Sequence, residues 1–146
     1  MIKLSSASLS GKEIQAVVDV LKDNFFGMGK KVQEFEEALS VFFNQDVVCV
    51  VNGTAALHLA CQSIGLQKGD EVLVPSLTYV ASFQAIKATG ATPIPCDVEE
   101  NTLTISIEDL KTKLSKNTKA IMPVHYAGSV GKLDEVYEFA NKNNLR

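Results

Sequence analysis

Asn52-Gly53-Thr54-Ala55-Ala56-Leu57-His58-Leu59-Ala60 holds residue types suited to anion binding. An apolar run over residues 47–51 stops at a polar, glycine and hydroxyl corner, and a small-residue helical pattern begins at once. The first N–H groups of a helix have no acceptor inside it, and the helix dipole places partial positive charge there. A phosphate suits such a corner. Gly53 has no Cβ to hold the anion away from the backbone. The Thr54 and Ala55 N–H groups, with the Thr54 hydroxyl, form the candidate cradle. An ordinary strand-to-helix turn has the same local pattern, and both readings stay open. The corner is neither a Walker A loop nor a G-x-G-x-x-G fingerprint, which disfavours ATP and NAD.

Two further corners carry candidate groups. Pro75-Ser76-Leu77-Thr78-Tyr79 ends in a tyrosine able to lay its ring on a planar heteroaromatic ligand, or simply to pack in the core. His125-Tyr126-Ala127-Gly128 places a histidine after an apolar run, as a contact to a cofactor substituent or as an ordinary histidine at a strand end. His58 sits inside a helical pattern and reads as structural. Asp97 and Glu99 end a strand pattern and are assigned no catalytic role.

The elements that position these corners follow from periodicity. Strand-like runs cover residues 47–51, 71–74, 92–97 and 120–124. Helical patterns cover 54–64, 79–88, 107–114 and 133–141, with Gly65 and Gly90 as stops and Ser106 with Asp109 as a start signal. Upstream, Ser10-Gly11-Lys12-Glu13 reads as a capping box leading into Ile14, Val17, Val18 and Leu21. A loop with Gly27 and Gly29 precedes a second helix with Val32, Phe35, Leu39 and Phe42 on one face. Alternating β and α runs predict an α/β fold, a mostly parallel sheet flanked by helices. Ligands in such sheets bind beyond the carboxyl ends of the strands, so all three corners are expected on one edge.

Composition narrows the classes. The 146 residues are enough for one domain with a core, and 46% hydrophobic with 21% charged residues is ordinary for a globular chain. The net charge of −3 includes no basic stripe, which argues against nucleic acid as a partner. No apolar run reaches membrane-spanning length, and Met1-Ile2-Lys3-Leu4-Ser5-Ser6 lacks a signal core, so a cytoplasmic location is expected. Cys49, Cys61 and Cys96 are too few and too far apart for a disulfide framework or a zinc site, and each reads as a small core residue. No metal is expected.

With these residues in view, the chain resembles the DegT/DnrJ/EryC1/StrS family of sugar aminotransferases. The likeness rests on the Asn52 to Ala60 stretch and on Gly69-Asp70-Glu71-Val72-Leu73-Val74-Pro75-Ser76-Leu77-Thr78-Tyr79-Val80-Ala81-Ser82. It continues in Gly90-Ala91-Thr92-Pro93-Ile94, Asp97-Val98 and Thr118-Lys119-Ala120-Ile121-Met122-Pro123-Val124-His125. Gly29 with Val32, Phe35 and Glu36 looks like the family's N-terminal segment. Asn52 stands where many relatives have serine.

The resemblance implies a pyridoxal 5′-phosphate enzyme of the aspartate-aminotransferase (type I) fold. Such an enzyme moves an amino group, usually from glutamate, to a keto sugar linked to a nucleotide, and works as a homodimer. It implies that Gly53, Thr54 and Ala55 hold the cofactor phosphate and that Tyr79 stacks on its ring. It further implies a Schiff-base lysine and an acid on the pyridine nitrogen, both later in the family's sequence than the position matched by Arg146. Among the lysines present, Lys68 and Lys119 precede strands, Lys87 lies far along its helix, and Lys132 matches no family motif. No catalytic residue is therefore expected within these residues. The expected organisation is an N-terminal helical segment (1–45) and an incomplete cofactor-binding large domain (46–146), with the C-terminal remainder absent. In that fold the first strand is not adjacent to the next three, and exposed strand edges predict poor stability. Two alternatives remain: a sugar dehydratase of the same fold, and a non-catalytic truncated product or interaction module.

Overall fold

The computed structural model describes residues 6–146, so Met1 to Ser5 of the N-terminal reading lie outside the described residues. Contacts divide the chain into two compact units, one ending at Cys49 and the other spanning Val50–Arg146.

The first unit holds α1 (Gly11–Asp23) and α2 (Lys30–Phe43). The Ser10 box forms: the Ser10 N–H donates to Glu13 Oε2 at 2.6 Å, and the Ser10 hydroxyl accepts from the Lys12 N–H at 3.2 Å. Asn24 and Asn44 close the two helices in the left-handed conformation that asparagine tolerates.

The strand expected over residues 47–51 does not form. The Val47 N–H donates to Ser40 Oγ at 3.1 Å and the Cys49 N–H to Glu36 Oε1 at 2.7 Å. Two side chains of α2 thus take alternate donors that a neighbouring strand would have used. Val48 and Val51 are 75% and 89% exposed. An extended apolar run becomes a strand only when another strand is there to pair with it.

The second unit contains α3 (Gly53–Ser63), β1 (Glu71–Pro75), α4 (Ala81–Ala88), β2 (Thr92–Cys96), α5 (Ile107–Lys113), β3 (Thr118–Ile121) and α6 (Leu133–Lys142). A single 3₁₀ turn, Tyr126–Gly128, separates β3 from α6. The three strands are parallel in the order β2-β1-β3, so the predicted parallel α/β architecture is present. Val72, Leu73 and Val74 of β1 are fully buried because both faces of the strand are covered. Val72 and Val74 pack with Cys61, Leu66, Ala85, Ile86, Ala91 and Ala120. Leu73 packs on the opposite face with Cys96, Ile105, Leu110, Ile121, Val136 and Ala140.

The hydrogen bonds at the sheet edges are unequal. Thr92 N–H donates to Asp70 O at 2.8 Å and Cys96 O accepts from Ser76 N–H at 2.7 Å, so residues 92, 94 and 96 turn their backbone groups toward β1. The outward positions of β2 are Pro93 and Pro95, which have no N–H. Beyond β3, Arg146 N–H donates to Lys119 O at 3.0 Å and Ile121 N–H donates to Arg146 O at 2.7 Å. That is the bonding of a parallel pair centred on Ala120 and Arg146.

Some local signals act differently from expectation. Helix α4 begins at Ala81, leaving Tyr79 in the preceding loop. Helix α5 starts at Ile107 without a side-chain cap from Ser106, and Asp109 instead accepts the Asp97 N–H at 2.7 Å. None of the helices in the described residues is long and apolar enough to cross a membrane.

Gly131 sets one tight contact. Its φ of +53° is left-handed, and a Cβ there would lie 2.0 Å from Thr104 Oγ1. Gly65 is also left-handed, at +77°, but its Cβ would meet open space. Either alanine should cost about 1 kcal/mol for the backbone conformation alone. Gly131→Ala should therefore lower the urea midpoint more than Gly65→Ala does. Equal shifts would show that Thr104 yields freely.

Candidate functional site

The α3 start is built by Asn52. Its extended backbone (φ −166°, ψ 171°) places the side chain over the first turn, where Oδ1 accepts the Ala55 N–H at 2.9 Å. Asn52 O accepts the Ala56 N–H at 3.1 Å. The Gly53 and Thr54 N–H groups are the first two of the helix and have no acceptor within it. Nothing lies within 4 Å of where a Gly53 Cβ would be. The corner thus offers two free donors, the Thr54 hydroxyl and open space. A third donor is already engaged by an oxygen.

Asn52, Thr54, Ala55 and His58 share a cavity of about 440 Å³ with Gln84, Ala85 and Ala88 of α4. His58, one turn into α3, has a buried Nε2 without a hydrogen-bond partner among the described residues. A buried ring nitrogen left unpaired is costly, and native proteins generally satisfy such groups. The sequence signal for His58 was weak, because a histidine on a small-residue helix face looks structural. Gln84 carried no local signal, since only the packing of α4 against α3 brings it to this cavity.

Tyr79 is 77% exposed, two residues before α4, and does not line that cavity. Its carbonyl accepts the Ser82 N–H at 3.0 Å, and the hydroxyls of Thr78 and Ser82 lie 2.8 Å apart. His125 follows β3, with Nδ1 3.3 Å from Ser129 O. β1 and β3 are adjacent and parallel, so the Tyr79 and His125 corners leave the same edge of the sheet. The Asn52 corner follows no strand, and it faces Gln84, Ala85 and Ala88 of α4. The expected convergence on one sheet edge thus holds for the Tyr79 and His125 corners by strand placement, while the Asn52 corner is placed by the packing of α3 against α4.

No lysine lines the cavity among the described residues. Lys132 lies 3.8 Å from Glu99, and Lys87 occupies the last turn of α4. Lys68 leads into β1 and Lys119 lies within β3. Among the described residues, no group of three His, Cys, Asp or Glu side chains is placed to hold a metal ion.

Comparisons with known proteins place this geometry in context. Residues 7–146 match the model of the DegT/DnrJ/EryC1/StrS aminotransferase family. The chain is 41% identical over 146 residues to GDP-perosamine synthase of Escherichia coli O157:H7, covering 99% of this chain and 40% of that protein. The structure is similar to the aminotransferase TlmJ from Streptoalloteichus hindustanus, with a TM-score of 0.90 at 32% identity over 99% of this chain and 40% of TlmJ. It is also similar to Spr1654 from Streptococcus pneumoniae, solved in PLP and PMP forms, with a TM-score of 0.89 at 34% identity. That likeness covers 97% of this chain and 36% of Spr1654. The chain therefore spans about two fifths of the length of these relatives.

The three cysteines differ in burial. Burial pushes the Cys96 thiol up to about 11, with Asp109 adding to the effect, and burial also raises that of Cys61. Only the thiolate attacks a disulfide reagent, and at pH 8 a thiol of that kind is ionised in about one molecule in a thousand. Cys49 is half-buried. In native protein at pH 8, dithionitrobenzoate should label Cys49 first, with Cys61 and Cys96 at least about tenfold slower. Equal rates would mean that the β1 core opens as readily as the segment before α3.

Proposed function

The chain belongs to the DegT/DnrJ/EryC1/StrS aminotransferase family, and on that premise we propose that it is the cofactor-phosphate portion of a pyridoxal 5′-phosphate enzyme. The proposed reaction transfers an amino group from glutamate to a nucleotide-linked keto sugar. The likeness to GDP-perosamine synthase along the whole chain carries this reading, and it favours a GDP-linked acceptor. The Spr1654 structures in PLP and PMP forms support the cofactor.

The α3 start fits the phosphate. Gly53 and Thr54 supply free N–H groups, Thr54 adds a hydroxyl, and the space at Gly53 is open. The Asn52 side chain already places an oxygen 2.9 Å from the Ala55 nitrogen. A phosphate oxygen accepting that N–H would replace one acceptor by another, leaving no donor orphaned. His58 and Gln84 border the same cavity. Tyr79 supplies an exposed ring on the loop ahead of α4 as the stacking surface. Tyr79 lies outside the cavity that Asn52, Thr54 and His58 line.

Once bound, the cofactor supplies an electron sink and a carrier for the amino group. This chain's residues hold and orient it. We assign residues 1–45 to an N-terminal helical segment and 46–146 to the cofactor-binding large domain. The lysine and the acid that act on the cofactor's reactive end are assigned to sequence outside these residues, so the chain alone is read as inactive.

The reading is tested on the longest natural protein containing this chain. Isotope from ¹⁵N-glutamate should appear in the amino sugar formed from a GDP-linked keto sugar, seen by mass spectrometry, and the 146-residue chain alone should give none. Thr54→Ala should weaken pyridoxal phosphate binding about tenfold, corresponding to about 1.4 kcal/mol for a lost hydrogen bond to a charged group. Label retained entirely in glutamate, or affinity unchanged in the variant, would count against the assignment.

A further inference from the structure

His58 is half-buried, yet its Nε2 is buried and has no hydrogen-bond partner among the described residues. Side chains with an apolar body and a polar tip usually keep the tip in water. His58 does the reverse, and an unsatisfied polar atom inside a protein is costly. A ring nitrogen turned inward in this way calls for a polar group to hold it there.

The place of His58 on α3 narrows what that group is. Thr54 and His58 are four residues apart and share one face of the helix. Helical side chains lean toward the N-terminus, so His58 lies over the turn that begins at Thr54. Both border the cavity of about 440 Å³ that Gln84 lines from α4. A buried water needs room and two to four polar partners. The cavity far exceeds the volume of one water, and it brings together the His58 ring, the Thr54 hydroxyl and the Gln84 amide. Asn52 lines it too, with Oδ1 already engaged by the Ala55 N–H. Ala55, Ala85 and Ala88 add no polar side chain.

We propose that His58 is a positioning residue for the Thr54 hydroxyl: its Nε2–H donates to one water held between α3 and α4, and that water donates to Thr54 Oγ1. The second hydrogen of the water goes to Gln84 Oε1. A threonine hydroxyl rotates freely and can turn its hydrogen to a nearby backbone carbonyl. A donor on the His58 side fills the acceptor site of Thr54 Oγ1 and leaves the hydroxyl hydrogen to point to the start of α3. Hydrogen bonds linked in a chain also strengthen one another. This role rests on the phosphate reading of the α3 start, and it names the residue that makes Thr54 a donor there. His58 acts through Thr54 and touches no phosphate oxygen itself.

The test takes the longest natural protein containing this chain, stripped of cofactor, and titrates it with pyridoxal phosphate and, separately, with pyridoxal. His58→Leu removes the donor and keeps an apolar body. It should weaken pyridoxal phosphate binding about fivefold and leave pyridoxal binding unchanged. His58→Gln keeps an amide donor near the Nε2 position and should bind within about twofold of the natural protein. His58→Asn falls short of that position and should behave like His58→Leu, which gives the same comparison with a polar side chain. In the Thr54→Ala background His58→Leu should add nothing, because the hydroxyl it acts through is gone. Full pyridoxal phosphate affinity in both His58→Leu and His58→Asn would overturn the proposal. So would equal losses for pyridoxal, failure of His58→Gln to restore binding, or a further fivefold loss in the double variant. Any of these alongside weakened binding in Thr54→Ala strikes the role of His58 alone. Unchanged binding in Thr54→Ala strikes the phosphate reading, and this role with it.

Discussion

The second unit depends on the burial of β1 on both faces and its pairing on both edges. Val72 and Val74 point into one cluster and Leu73 into the other, so one five-residue strand holds two layers of helices. Period-two alternation normally separates core from solvent. Here it separates two cores, and for that reason no polar residue interrupts the run. The placement of the candidate site follows from this. Tyr79 stands where the chain leaves β1, and α3 is held against α4, which packs on the Val72–Val74 side.

At the start of α3, Asn52 solves a general problem of helix ends. A helix whose first donors are kept free for a ligand is weakened when the ligand is away. Asn52 covers one donor with its own amide oxygen and leaves two open. The cap is short-range and neutral, and in the proposed reading a doubly charged phosphate takes its place. On the helix side of the cavity, His58 has a buried Nε2 with no hydrogen-bond partner among the described residues.

Much of this was legible in the residues because it is local. Ser10 and Glu13 announce the α1 box, Val72-Leu73-Val74 the doubly covered strand, and Gly65 and Gly90 the helix ends with positive φ. What stayed hidden depends on partners distant in sequence. Residues 47–51 have strand composition, yet Glu36 and Ser40 take two of their donors. Asp109 looks like part of a helix cap, but it serves the Asp97 backbone twelve residues away. Gln84 joins the cavity only because two helices meet, and Tyr79 misses it because α4 begins two residues later than its pattern implies. Local chemistry marks the ends of elements, whereas cavities arise between elements.

The two prolines of β2 bear on topology as well as on the edge. β1 precedes β2 in the sequence, and β2 pairs along one flank of it. Once that pair forms, Pro93 and Pro95 leave the new outer flank without donors, and the remaining receptive flank is the far side of β1. β3 arrives third and lies there, giving the order β2-β1-β3 in place of a simple consecutive array. Two absent hydrogens thereby leave the outer flank of β2 a poor place for a later strand. They also keep that side from templating a stranger's strand.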